Sequence, residues 1–169
     1  QFHCGVLINA ESNETLKYGV APMVGIVGGF KEYVQKVEEI AATPHGLLVF
    51  HNGINYDVPA IDILKRKYFG KRFNFPKHKM IDTLVMGRLM YPNIKFSDIG
   101  AVKSGRLPPK MMGRQSLEAW GYRLGEMKGE YKTDYIAKCK AEGIDYKAGD
   151  EWLLPSQEML DYNVQDVVV

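Results

Sequence analysis

The stretch Leu47-Leu48-Val49-Phe50-His51-Asn52-Gly53-Ile54-Asn55-Tyr56-Asp57-Val58-Pro59 decides the fold class of this 169-residue chain. Its first four residues are continuously apolar and too few for a helix, which predicts a short, fully buried strand. His51-Asn52-Gly53 turns the chain, and Val58 to Tyr68 follows as a helix with Pro59 in its first turn, where a missing N–H costs nothing. A buried strand that passes through a tight turn into a helix is the building unit of α/β domains. Asp57 stands where carboxylates line the crevice at the carboxyl ends of strands in such sheets. It has two compatible readings, a metal ligand and an N-cap for the helix that begins at Val58.

Upstream, Phe2 to Ile8 is an apolar run around Gly5. Glu11 to Glu14 is a polar turn and Leu16 to Val20 a returning strand, which together predict a hairpin. Gly28-Gly29 breaks the chain, and Phe30, Tyr33, Val34, Val37 and Ile40 then recur at helical spacing up to Pro44 and Gly46. Downstream, Lys79-Met80-Ile81 reads as a short strand, and Asp82-Thr83 opens a helix to about Met90, with Asp82 as its N-cap. Asn93 to Gly113 has no clear period and reads as a long functional loop. Ser116 caps a helix to Leu124, whose Leu117, Trp120, Tyr122 and Leu124 read as core. Lys128 to Asp150 is irregular, with a helix around Asp134 to Glu142. Pro155-Ser156 opens a last helix from Gln157 to at least Val169.

The composition, 46% hydrophobic and 25% charged residues, is that of a globular protein, and one compact domain is the expectation. No stretch reaches the roughly 18 continuous apolar residues of a membrane helix, and no leader pattern opens the chain, so no membrane partner and a cytoplasmic location are expected. Cys4 and Cys139 lack zinc-ligand spacing and read as packed, reduced thiols. Gln1 at the start and the apolar Val167-Val168-Val169 at the end read as truncations.

The net charge is only +2, but it is unevenly spread. Lys65, Arg66, Lys67, Lys71, Arg72, Lys77 and Lys79 crowd one acid-free stretch, and Lys103, Arg106, Lys110 and Arg114 another. Seven acids gather between Glu142 and Asp166 against the single Lys147. Such a distribution suits either ordinary solvated faces or an acidic metal site with phosphate-attracting flanks.

On the last helix Tyr162 and Asp166 are four residues apart and share a face. There the carboxylate can hold a hard divalent cation through oxygen, and the neutral phenol can orient a water by hydrogen bonding. Asp57 and Asp166 do not complete a two-metal site, which takes several carboxylates. Glu11 and Glu14 lie in a turn, and His51 reads as structural.

In this order and spacing, HNGINYDVPA (51–60), IDTLVMGRLM (81–90), SLEAWGYRLGEMKGEY (116–131) and DYNVQDVVV (161–169) closely resemble the proofreading exonuclease domain of family A DNA polymerases from T-odd phages. The resemblance covers nearly the whole chain. It implies a ribonuclease-H-like α/β fold, a mixed sheet flanked by helices, within the DEDD exonuclease superfamily. By that resemblance Asp57 and Asp166 are metal ligands, and Tyr162 orients the attacking water. Position 161 is Asp161 rather than a histidine base, which places the chain in the tyrosine subclass. Asn52, Asn55 and Tyr56 are expected at the DNA end.

The implied cofactor is Mg²⁺ or Mn²⁺. The implied substrate is the 3′ end of single-stranded or frayed DNA, and a polymerase module is expected in the same full-length chain of a phage-infected bacterial cell. The first-motif Asp-x-Glu is expected on an N-terminal strand before Phe2. Residues 1–169 therefore read as one exonuclease domain that lacks this strand and is inactive in isolation. The alternative is a catalytically inert nucleic-acid-binding or scaffolding domain.

Overall fold

The computed structural model describes residues 1–126 and 130–168. Met127-Lys128-Gly129, inside the third quoted motif, and Val169, at the end of the last helix, lie outside them. The fold is α/β, and the chain divides into two compact units, residues 1–33 with those from 130 onward, and residues 34–126.

In the first unit β1 (Cys4–Ile8) and β2 (Thr15–Gly19) form the expected hairpin, antiparallel with Cys4 opposite Gly19 and Ile8 opposite Thr15. Asn9 closes the turn, its side-chain oxygen accepting the backbone N–H groups of Glu11 (2.9 Å) and Ser12 (3.1 Å). An Asx turn of this kind substitutes a side chain for a backbone acceptor. Gly5 is required because a Cβ there would lie 2.9 Å from the Tyr33 ring.

Helix α1 (Phe30–Ala42) begins in this unit, and Phe2 packs against the tilted Phe30 ring at 5.0 Å and stacks with Tyr33 at 5.8 Å. The chain returns from residue 130 into α6 (Tyr131–Ala141) and α7 (Gln157–Val168). Helix α7 packs on β1 and β2, and Val6, Met23, Tyr131, Met159 and Leu160 are the buried heart of the unit. Full burial of a leucine such as Leu160 stabilises by about 1.5–3 kcal/mol. Ser156 caps α7 as expected, its hydroxyl accepting Met159 N–H at 3.1 Å. Cys4 and Cys139 are free thiols, and burial pushes Cys4 up to about 11.

In the second unit β3 (Leu48–Phe50), α2 (Asp57–Phe69), β4 (Met80–Asp82) and α3 (Thr83–Met90) form a parallel β-α-β crossover that leads into a further helix. Leu48 pairs with Met80 and Phe50 with Asp82. Helices α4 (Ile94–Lys103) and α5 (Leu117–Leu124) complete the unit.

Several expectations need correction here. The run at 47–50 is not fully buried, since Leu48 is covered but Val49 is 61% exposed. Successive side chains in a strand point to opposite faces, and only one face of this two-stranded sheet is covered. The stretch from Asn93 to Gly113 is not a long loop. It holds α4 and a 3-10 turn at Pro109–Met111. The buried positions of α4 are Ile94 and Asp98, so a charged residue replaces half of the apolar stripe that would have marked a helix. Leu124 is 62% exposed rather than core, because Gly125 in the left-handed region ends the helix directly after it. Helix α6 begins at Tyr131, three residues earlier than read, because the Tyr131 ring is buried and its hydroxyl donates to the Glu151 carbonyl at 2.8 Å.

Candidate metal and nucleic-acid site

The loop between β3 and α2 is shaped by a residue thirty positions downstream. Asp82 ends β4 and caps α3, accepting Leu84 N–H (3.0 Å) and Val85 N–H (3.3 Å). It also accepts Asn52 N–H (3.1 Å) and Ile54 N–H (3.1 Å) from the loop. Burial alone would raise its carboxyl, but the four backbone donors outweigh it and hold Asp82 below the usual carboxylate range. With its oxygens accepting four amides, Asp82 is the N-cap that the sequence predicts.

Asn52 sits in the left-handed region at φ +69°, which asparagine tolerates better than other side chains. Its side-chain oxygen accepts from Asn55 Nδ2 at 3.1 Å, and its carbonyl accepts Asn55 N–H and Tyr56 N–H. Gly53 has no alternative, because a Cβ there would lie 2.4 Å from the Phe50 Cβ. Tyr56 follows with 70% of its surface exposed, a ring offered to solvent.

Asp57 is the first residue of α2, with Tyr56 in the cap position, so the N-cap reading of Asp57 does not hold. Its half-buried carboxyl forms no ion pair among the described residues. Burial pushes it above the usual range, its own N–H opposes this, and the Asp82 charge adds to the rise. Either protonation or a neighbouring cation would relieve both effects.

His51 is fixed by a relay. Thr83 Oγ1 donates to the Phe50 carbonyl (3.1 Å), so at its 3.0 Å contact with His51 Nδ1 the hydroxyl is the acceptor and the ring nitrogen carries a proton. Next to the ring lies an open cleft of about 280 Å³, lined by His51, Asn52, Leu84, Arg88 and residues 115–117. Sequence reading missed this cleft. The signal was the helical spacing of Leu84 and Arg88, four apart on one face of α3 and directly after the capping Asp82.

In the other unit, α7 holds Tyr162 and Asp166 one turn apart, both half-buried. The Tyr162 ring lies 5.7 Å from Tyr131 and 6.3 Å from Trp152, so an aromatic cluster holds it. Asp161 is exposed and accepts from Gln157 Nε2 at 3.0 Å, away from that face. Glu151, one of the seven clustered acids, is buried for structural reasons. It accepts from Tyr146 Oη and Gly149 N–H, both at 2.9 Å, and lies 3.5 Å from Lys132 Nζ. Asp57 with Asn52, Asn55 and Tyr56 thus belongs to one unit, and Tyr162 with Asp166 to the other. Among the described residues no group of three or more His, Cys, Asp and Glu side chains is arranged to hold a metal.

Part of the basic stretch is also structural. Lys65 pairs with Glu38, Arg66 with Asp62 at 2.8 Å, and Lys79 Nζ donates to the Thr43 and Pro44 carbonyls at 2.7 Å. No helix among the described residues is long and apolar enough to cross a membrane.

No protein-family model matches the chain. Over all 169 residues it is 45% identical to the DNA-directed DNA polymerase of Escherichia phage T7, and equally to that of Enterobacteria phage T3. It is homologous to a region of phage DNA polymerases. The chain spans 23% of the length of each of these relatives. Residues from both units, including Asp57, Tyr162 and Asp166, fall inside the aligned stretch.

Proposed function

We propose that this polymerase region carries a 3′→5′ proofreading exonuclease site, which releases 5′-mononucleotides from the 3′ end of single-stranded or frayed DNA. The observation that carries this reading is Asp57, a half-buried carboxylate with no ion-pair partner among the described residues, at a strand-to-helix junction of a chain similar throughout to phage polymerases.

Asp57 and Asp166 are the residues that would hold Mg²⁺ or Mn²⁺, and the donor set fits, since hard cations take carboxylate oxygens. When bound, such ions supply charge neutralisation and an acidified water. Tyr162, gripped by its aromatic neighbours, positions the attacking water through its phenol. Asn52, Asn55 and the exposed Tyr56 hold the terminal nucleotides. The water oxygen bonds to the terminal phosphorus, the bond to the preceding 3′ oxygen breaks, and that oxygen leaves with a proton. Selectivity for errors comes from fraying, because a mismatched end unpairs at lower cost. Two carboxylates do not hold two cations, so the 169 residues alone are expected to be inactive.

The test uses the longer polypeptide that carries this chain. Asp57→Ala and Asp166→Ala each abolish Mg²⁺-dependent mononucleotide release from single-stranded DNA, and Tyr162→Phe lowers kcat while leaving KM in place. Full nuclease activity in both Asp variants removes the assignment. A wild-type polypeptide that binds single-stranded DNA without degrading it is instead an inert binding module.

A further inference from the structure

Tyr131 is buried, and the exonuclease reading gives it no part, yet both ends of its side chain are fixed. Its hydroxyl donates to the Glu151 carbonyl at 2.8 Å and lies 3.5 Å from the hydroxyl of Ser156, where α7 starts. Its ring lies 5.7 Å from Tyr162 and 5.2 Å from Trp152, and Trp152 and Tyr162 close the triangle at 6.3 Å. Tyr131, Glu151, Ser156 and Tyr162 all belong to the same unit.

A phenol tied to a carbonyl is held only as firmly as that carbonyl. Glu151 meets the condition. Its own carboxylate is buried and accepts from Tyr146 Oη and Gly149 N–H, both at 2.9 Å, with Lys132 Nζ 3.5 Å away. A buried carboxylate paired in this way is costly to displace, so the 3-10 turn at Asp150–Trp152 is a fixed reference point. Tyr131 carries that reference across to α7.

At the other end, the Tyr162 phenol oxygen is the part of its side chain farthest from the backbone, and a small change in ring angle moves it most. Trp152 is 45% exposed, so of the two neighbouring rings Tyr131 is the interior wall against which Tyr162 rests.

We propose that Tyr131 is a positioning residue, which bonds the Glu151 carbonyl, holds its ring against Tyr162 and so fixes where the Tyr162 phenol points. This role rests on the exonuclease reading, in which Tyr162 orients the attacking water. Being buried, Tyr131 acts through Tyr162 and not on the substrate.

The experiment uses the longer polypeptide. Tyr131→Phe keeps the ring and loses the tether, and should lower kcat for Mg²⁺-dependent mononucleotide release about tenfold with KM unchanged, the worth of one hydrogen bond. Tyr131→Leu also removes the ring and should cost about a hundredfold, the effect of a displacement of about 1 Å. The deciding measurement is a double-mutant cycle. In a Tyr162→Phe background, Tyr131→Phe should lower kcat no further, because no phenol remains to be aimed. A second readout needs neither metal nor turnover. With 3-fluorotyrosine incorporated and divalent cations absent, the Tyr162 fluorine resonance, identified by its loss in Tyr162→Phe, should shift or split in Tyr131→Phe. Asn9→Ala loosens the exposed hairpin turn of the same unit and should change neither kcat nor the resonance.

Wild-type kcat or an unmoved resonance in Tyr131→Phe overturns the proposal. So does an undiminished fall in kcat in the Tyr162→Phe background, or an equal fall in Asn9→Ala, since either marks a merely structural role. The two readings fail separately. If Asp57→Ala and Asp166→Ala both retain hydrolysis, the exonuclease assignment falls and the metal-free resonance still judges whether Tyr131 holds Tyr162. If both lose hydrolysis while Tyr131→Phe keeps wild-type kcat, only the role of Tyr131 falls.

Discussion

Each of the two units has its own mix of interior chemistry. In the unit built on β1, β2, α6 and α7, the central contacts are apolar and aromatic, with Val6, Met159 and Leu160 packed beside Tyr131, Tyr162 and Trp152. In the unit of residues 34–126 an apolar cluster of Leu107, Met111 and Ala119 is joined by two buried carboxylates that organise the backbone around them. Asp82 collects four backbone amides, and Asp98, only 3% exposed, takes two hydrogen bonds from Arg123 (2.9 and 2.8 Å) and one from Gly113 N–H (2.8 Å). An apolar core constrains volume and tolerates repacking, whereas a polar one constrains direction and tolerates little. The proposed DNA-holding loop sits in the unit where direction is enforced.

The sharpest way to break this contrast is Arg123→Ala, which leaves Asp98 buried and unpaired and should cost about 3–5 kcal/mol in denaturant unfolding. A loss no larger than that of an exposed pair, at most about 1 kcal/mol, would mean the polar interior carries little. Leu160→Ala probes the apolar unit and should cost about 2–5 kcal/mol, while the volume-conserving Met159→Leu should cost less than about 1.5 kcal/mol. Asp82→Ala strips an acceptor from buried amides, at about 1–3 kcal/mol for a donor left unsatisfied, and should also raise hydrogen exchange at Asn52 and Ile54.

Acid supplies a further discriminator. The Arg123 hydrogen bonds hold Asp98 below its usual range despite burial. Its contribution is therefore complete above the unfolded value of about 3.9 and is lost as pH falls below it. Asp98→Asn should flatten the fall in unfolding temperature between about pH 5 and pH 2. The smallest effects expected are those of the helix caps, with Ser156→Ala and Ser116→Ala each costing about 1 kcal/mol.

The same contrast explains what was legible in the sequence. The hairpin, α1 and α7 follow from an apolar run and its polar turn, from the spacing of Phe30, Tyr33, Val34 and Val37, and from a serine cap, all of which are local signals. The β3-α2-β4-α3 succession was legible because short apolar runs alternate with turn residues and Asp82 is a strong cap. Helix α4 was not, because its buried face includes Asp98, whose partner Arg123 lies twenty-five residues away and leaves no periodic mark. Val49 was read as buried because a run of apolar letters does not say how many faces of a sheet are covered. Asp57, Tyr162 and Asp166 were singled out by spacing and resemblance. The cleft at Arg88 was not, since it is assembled from three separated segments.

The amide cradle of Asp82 also bears on how such a chain can vary in length. Asn52 and Ile54 must present alternate N–H groups to one carboxylate, with Gly53 pressed against Phe50 between them. Adding or removing one residue between Phe50 and Asp57 would break that register and turn Asp57 to another side of its helix. The Asn9 turn, exposed and closed by its own side chain, has no such tie to a distant partner. Insertions and deletions among descendants of this chain should therefore accumulate at the hairpin and be excluded from the segment between Phe50 and Asp57.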